Sequence, residues 1–168
     1  IFVGYRYYDR KETELLFPFG FGLSYTDFRF SDLRLSAAEI SDRDTLTASV
    51  KAKNIGSRPG KTVVQLYVRD CESGVLRPLR ELKGFEKVLL QPGESKELRF
   101  TLDKRSFAYW NTTIHDWHVE SGDFAIEIGR SSRDIALSET LYVESTTVLP
   151  RHYDETSIFM DILSDPHA

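Results

Sequence analysis

The groups in this chain that could do chemistry are few, and each also fits a structural role. General acid/base work by a glycosidase or an acid protease needs two carboxylates brought close in a cleft with separated pKa values. Here Asp and Glu fall in turns and on the polar faces of alternating segments, so nothing marks a pair, and each reads as solvated surface. Asp9 is the exception, because it lies in the string Tyr5-Arg6-Tyr7-Tyr8-Asp9, where an arginine and a carboxylate can brace a loop or touch a polar ligand. Bracing is the stronger of the two expectations. His115 and His118, in HDWH, have a spacing that serves metal ligation only on a helix, and no third ligand follows. A turn leading into a strand explains them. Gly20-Phe21-Gly22-Leu23-Ser24 has neither the third glycine and lysine of a phosphate loop nor the Gly-x-Ser-x-Gly order of a nucleophile elbow. Its glycines are expected to let the backbone pass close under aromatic rings. Asn111-Thr112-Thr113 fits the N-glycosylation triplet, which would put Asn111 on the surface of an exported protein. Asn111 is the one modification site assigned from these residues; no catalytic residue, cofactor-binding residue or metal ligand is.

The rest of the composition narrows the class. The chain has 168 residues, of which 40% are hydrophobic and 29% charged, with ten glycines and six prolines. Collagen-like, coiled-coil and disordered chains are excluded. Lys plus Arg number 22 against 26 Asp plus Glu, a net charge of -4, and the basic residues are scattered, which argues against a nucleic-acid partner. No apolar run approaches the roughly 18 to 20 residues of a membrane span, so no membrane partner is expected. The chain begins at Ile1 and its only methionine is Met160, from which a piece of a longer chain is expected, with any secretory signal upstream. Cys71 is the only cysteine, so an internal disulfide and a multi-cysteine metal site are ruled out.

Three regions must position these groups. Residues 1 to 27 are dense in aromatics and glycine, with YRYYD and FPFGFGLSY, and match neither strand alternation nor helical spacing. They read as a packed connector whose aromatics cover a surface outside this sequence, and as ordered only against that partner. From Phe28 the pattern turns to period two: Phe28, Phe30, Leu33 and Leu35 predict a strand with a bulge between Phe30 and Leu33. Leu46 to Ala52, Val63 to Asp70, Leu79 to Leu90, Leu98 to Leu102, Trp117 to Val119, Phe124 to Ile128 and Leu137 to Val143 continue the series. Gln91-Pro92-Gly93-Glu94 suits a type II turn, which predicts that the runs on either side are antiparallel neighbours. Short strands with turn signals and no convincing amphipathic helix predict an all-β chain, an antiparallel immunoglobulin-like sandwich over residues 28 to 145. The tail, 146 to 168, predicts at most one short helix around Ser157 to Leu163 and reads as a strap on a neighbouring domain.

Two strings carry more than composition. YRYYD followed by FPFGFGLSYTDF resembles the end of the catalytic region of glycoside hydrolase family 3, and RPLRELKGFEKVLLQPGESKELRFTL, residues 77 to 102, resembles the fibronectin type III-like domain that follows it. The direct step from Ser24-Tyr25-Thr26 into the first strand is most similar to fungal β-glucosidases. The resemblance implies retaining hydrolysis of terminal, non-reducing β-D-glucosyl residues, as in cellulose degradation, by a secreted enzyme without a cofactor. It places residues 1 to 27 at the end of the catalytic α/β sandwich domain, and both catalytic carboxylates upstream of Ile1. By that implication the chain alone is inactive, its partners are the upstream catalytic domains and, through them, β-glucosides, and its role is to stabilise those domains. Two other readings stay open. One is a carbohydrate-binding module stacking sugars on Tyr109, Trp110 and Trp117, against which stands core packing of Trp110 or Trp117. The other is an adhesion or spacer sandwich of unrelated ancestry.

Overall fold

A computed structural model of the chain describes residues 2–149. Ten strands and two short helices lie in it: α1 (Tyr5–Arg10), β1 (Phe28–Leu35), β2 (Glu39–Ser41), β3 (Leu46–Asn54), β4 (Gly60–Asp70), β5 (Glu81–Leu90), β6 (Ser95–Leu102), α2 (Lys104–Phe107), β7 (Tyr109–Asn111), β8 (Asp116–His118), β9 (Gly122–Gly129) and β10 (Ile135–Glu144). They form a three-stranded sheet in the order β1-β3-β6, a five-stranded sheet in the order β2-β10-β9-β4-β5, and the β7-β8 hairpin. The two larger sheets face each other across one apolar core, which is the predicted sandwich.

Alternation decides most of this arrangement. In β3, Leu46, Ala48, Val50 and Ala52 are buried while Lys51 and Lys53 are in water, because successive side chains of a strand point to opposite faces. Leu98, Phe100 and Leu102 do the same in β6. Opposite them, Val64, Leu66 and Val68 of β4 and Phe124, Ile126 and Ile128 of β9 close the core. The bulge in β1 falls where expected, with a register shift between Ser31 and Arg34 and Asp32 in the left-handed region at φ 56°.

Several elements differ from the prediction. The Gln91–Glu94 turn is closed by a Glu94 N–H to Gln91 carbonyl bond of 3.0 Å, with Gly93 at φ 77° as a type II turn requires. The strands on either side are nevertheless not neighbours: β5 pairs with β4 in one sheet, and β6 pairs with β3 in the other. Val88 and Leu90 reach the core from one side and Leu98 and Phe100 from the other, so the turn bridges the sheets. The segment after β6 holds a single helical turn, α2, that delivers Phe107 to the core, edge-on to Phe124 at 5.3 Å. It also holds β7, a partner strand for β8 that was not foreseen. The three-residue β2 adds a parallel edge beside β10. The tail helix predicted around Ser157 lies outside the described residues.

The connector is the largest departure. It carries the helix α1 and packs on the sandwich itself. Residues 64 to 68 of β4 and 124 to 129 of β9 are therefore buried on both faces: the inner face meets the other sheet, and on the outer face Gln65 and Tyr67 lie under the connector while Glu127 is held by Arg69 and Arg80.

Candidate functional site

The seam between connector and sandwich concentrates the chain's buried polar chemistry. Tyr5 and Asp9 are four residues apart, so one turn of α1 puts both on the face that meets the sheet. The Tyr5 ring stacks on Phe19 at 4.5 Å and lies edge-on to Tyr67 at 6.3 Å, and its Oη accepts the Leu82 N–H at 2.9 Å. Tyr67 donates its hydroxyl proton to Gln65 Oε1 at 2.5 Å. Burial first, then the nearby Tyr5 and Asp9, pushes the Tyr67 phenol above its ordinary range, so it stays a protonated donor. Gln65 Nε2 donates to the carbonyls of Gly20 at 3.1 Å and Arg130 at 2.8 Å, and the Ser132 N–H donates to the Phe19 carbonyl at 2.8 Å.

Asp9 is only 5% exposed. Its Oδ1 accepts from Arg133 Nε at 2.7 Å, and Arg133 Nη2 reaches the Tyr8 carbonyl at 2.9 Å. Asp9 thus braces the connector, as its neighbours suggested. Arg6 pairs with Glu81 at 2.8 Å, and Arg10 Nη1 donates to the Arg77 carbonyl at 2.9 Å. Beneath them Arg77 is nearly enclosed, donating to Asp70 Oδ2 and to the Phe107 carbonyl, each at 2.9 Å. Burial raises the Asp70 carboxyl above its usual range and Arg77 works against that rise. Arg80 donates to Glu127 at 2.7 Å and to the Ser132 carbonyl at 2.6 Å. The seam is therefore a clamp of paired arginines and carboxylates, in which Asp9 Oδ2 alone of the Asp9 oxygens has no hydrogen-bond partner, suited to holding two pieces of chain in register.

Arg77, Arg80 and Arg133 escaped sequence reasoning because a lone charged residue reads as surface. The only signal was that Arg77 and Arg80 stand in the RPLREL string, where an arginine of each triplet interrupts the alternation before β5.

Gly20 packs against the Gln65 amide, where a Cβ would overlap it, at φ 82°; Gly22 has open space around it. Gly20→Ala is expected to strain the backbone and unseat residues 18 to 21, lowering stability by about 1–3 kcal/mol in urea denaturation.

Over this clamp the connector turns its apolar side outward. Leu16 is 93% exposed and Leu23 91%, and Val3, Phe17 and Tyr25 are also in water, with Phe17 and Phe21 in ring contact at 5.2 Å. Contiguous apolar side chains of this size mark an interaction surface.

The other sequence candidates fall elsewhere. His115 is in the turn at φ 50°, and His118 is buried in β8, where burial lowers its pKa. Among the described residues no three His, Cys, Asp or Glu side chains could jointly hold a metal ion. No helix among them is long and apolar enough to cross a membrane. Cys71 is exposed. Asn111 is 9% exposed: its Oδ1 accepts the Thr113 N–H at 2.8 Å, and its Nδ2, the atom a glycan would occupy, donates to Tyr109 Oη at 3.1 Å. A glycan would replace the other Nδ2 hydrogen and would have to fit beside a nearly enclosed side chain. Trp117 packs against the core and Trp110 stands half exposed.

Fold and seam together define a β-sandwich with a connector clamped onto one sheet. Its class is explicit in a match of residues 62–132 to the model of the fibronectin type III-like domain. All 168 residues align at 56% identity with thermostable beta-glucosidase B of Acetivibrio thermocellus, covering 22% of that protein. An exo-alpha-(1->6)-L-arabinopyranosidase of Bifidobacterium breve is 44% identical over 144 residues, 86% of this chain and 19% of its own. The crystal structure of a Bifidobacterium adolescentis GH3 beta-glucosidase superposes on 98% of this chain, and 24% of its own, with TM-score 0.86 and 42% identity. The chain corresponds to the C-terminal end of glycoside hydrolase family 3 enzymes and spans about a fifth of the length of the relatives it matches. The likeness extends well beyond the fungal enzymes that the Ser24-Tyr25-Thr26 step suggested.

Proposed function

We propose that this chain is the C-terminal buttress of an exported, retaining β-glucosidase that removes terminal β-D-glucosyl residues, and that its own part is mechanical. It docks on the catalytic domains that precede it and fixes their placement; the reacting carboxylates belong to those domains. The observation that carries this reading is the outward apolar side of a connector that is clamped from behind. A loop bearing Leu16, Phe17, Leu23 and Tyr25 in water has no stabilising partner within the described residues, yet the Asp9–Arg133 and Gln65–Gly20 contacts hold it in one conformation. Rigid presentation of apolar surface is what a preorganised interface needs. That relatives of this piece include both β-glucosidases and arabinopyranosidases supports a part that does not choose the sugar.

The test compares two contexts. In the full-length enzyme, Leu16→Ser and Leu23→Ser are each expected to lower stability by about 1.5–3 kcal/mol, the value of burying a leucine side chain. In the 168-residue chain the same changes are expected to stay within about 0.5 kcal/mol, as at an exposed site. Equal effects in both contexts would contradict the proposal.

A further inference from the structure

On the same side of the sandwich as Arg6, a groove of about 660 Å³ runs between the loop carrying Val75, Leu76 and Pro78 and the β7-β8 hairpin. Pockets of a few hundred to about 1,000 Å³ with an apolar lining and a few placed polar groups are the usual seats of small ligands. Two indoles stand opposite each other in the hairpin register, Trp110 against Trp117, edge to face at 5.6 Å. Trp117 is partly buried against the core, and the Arg105 guanidinium lies over its ring at 3.4 Å. Trp110 is 49% exposed, held in place by its neighbour, with ring surface open to the groove.

The charges on the groove's floor decide what kind of ligand fits. Arg6 and Lys83 share the single carboxylate of Glu81, at 2.8 and 3.3 Å, and Arg77 pairs with Asp70 at 2.9 Å. Arg105 alone among these cations makes no ion pair or hydrogen bond among the described residues, and the same holds for the hydroxyls of Thr112 and Thr113. An anionic ligand would meet this surplus of cations but would set its charge against the negative face of the Trp110 indole, whereas a neutral polyhydroxyl ligand can use that face together with the guanidinium fork and the two hydroxyls.

We propose that this groove binds a β-linked gluco-oligosaccharide, with Trp110 as its platform and Arg105 as its hydrogen-bonding fork. The choice of a glucosyl ligand rests on the glycosidase reading above; the chemistry of the groove stands without it. A β-glucosyl ring carries all its hydroxyls in the ring plane and shows C–H groups on both faces, so one face lies flat on the negative face of an indole. Its vicinal hydroxyls offer two adjacent oxygens to the two parallel N–H groups of a guanidinium, the geometry arginine favours. A β-linked chain stays extended and keeps successive ring faces flat, whereas an α-linked chain curls away from a flat platform.

The experiment titrates the 168-residue chain with cellotetraose and, separately, maltotetraose, followed by proton–nitrogen correlation spectra. The Trp110 indole N–H and the Thr112 and Thr113 amides are expected to shift saturably with cellotetraose and much less with maltotetraose. Trp110→Ala is expected to abolish those shifts, and Arg105→Ala to weaken binding roughly tenfold, both with an otherwise unchanged spectrum. Absence of saturable shifts up to roughly 10 mM, shifts that survive Trp110→Ala, or equal response to maltotetraose would overturn the proposal. Because the readout uses this chain alone, its failure leaves the buttress reading to the leucine comparison in the full-length enzyme.

Discussion

Arg77→Ala is expected to destabilise the chain by about 3–5 kcal/mol at neutral pH, the cost of removing one partner of a buried ion pair. Both side chains are enclosed, at 9% exposure for Arg77 and 7% for Asp70, so the carboxylate left behind has neither water nor a countercharge. The Phe107 carbonyl loses its donor in the same step, and Phe107 is part of the core. For a chain of this length the melting temperature should fall by roughly 10 °C. The pH dependence is a second signature. Burial already raises the Asp70 carboxyl in the folded chain, with Arg77 holding it down. A carboxyl with a folded pKa above its unfolded value binds its proton more tightly when folded, so its burial costs stability at higher pH and the cost fades on acidification. Without Arg77 that rise is larger, and the deficit of the variant should shrink as pH falls through the raised range of the carboxyl. Arg77→Lys keeps the charge but not the fork and is expected to lose less. Urea denaturation across pH measures all three chains, and a loss under about 1 kcal/mol for Arg77→Ala would show the clamp to be unimportant.

Deleting residues 28–168 from the full-length enzyme is expected to have the largest effect at the level of the whole protein. The outer side of the connector and the surface it covers would lose the scaffold that presents them. The inner side, with Tyr5, Phe19 and Asp9, would be stripped of Tyr67, Gln65 and Arg133. Newly exposed aromatic surface favours association, so soluble yield should fall sharply and the remaining enzyme should melt lower. Hydrolysis of a chromogenic β-glucoside by the soluble remainder should retain its KM if, as proposed, the reacting carboxylates belong to the preceding domains. An unchanged melting temperature and yield would count against a stabilising role.

How much of this was legible depends on which faces meet water. The strands β3 and β6 have one wet face, so Lys51, Lys53, Glu97 and Arg99 alternate visibly with the core residues. In β4 and β9 the outer face is covered, and the side chains there have the polarity of a solvated face while lying buried, Gln65 and Tyr67 under the connector and Glu127 against Arg69 and Arg80. A six-residue helix such as α1 is too short to declare a period, and only the Tyr5–Asp9 spacing hinted at it. Turn chemistry at Gln91–Glu94 fixed where the chain reverses, but a type II turn joins strands within a sheet or across a sandwich equally well. The clamp was hidden because its ion pairs join residues distant in sequence, 47 positions apart for Arg80 and Glu127 and 124 for Arg133 and Asp9.

The account's central claim is that the outward side of the connector is covered by the domains preceding it. Hydrogen exchange on residues 14–25, measured in the full-length enzyme and in the 168-residue chain under the same conditions, tests it most directly. Slow exchange across this segment in the enzyme and rapid exchange in the chain, with β3 and β9 equally protected in both, is the predicted result. Equal, rapid exchange of the segment in both proteins would contradict it.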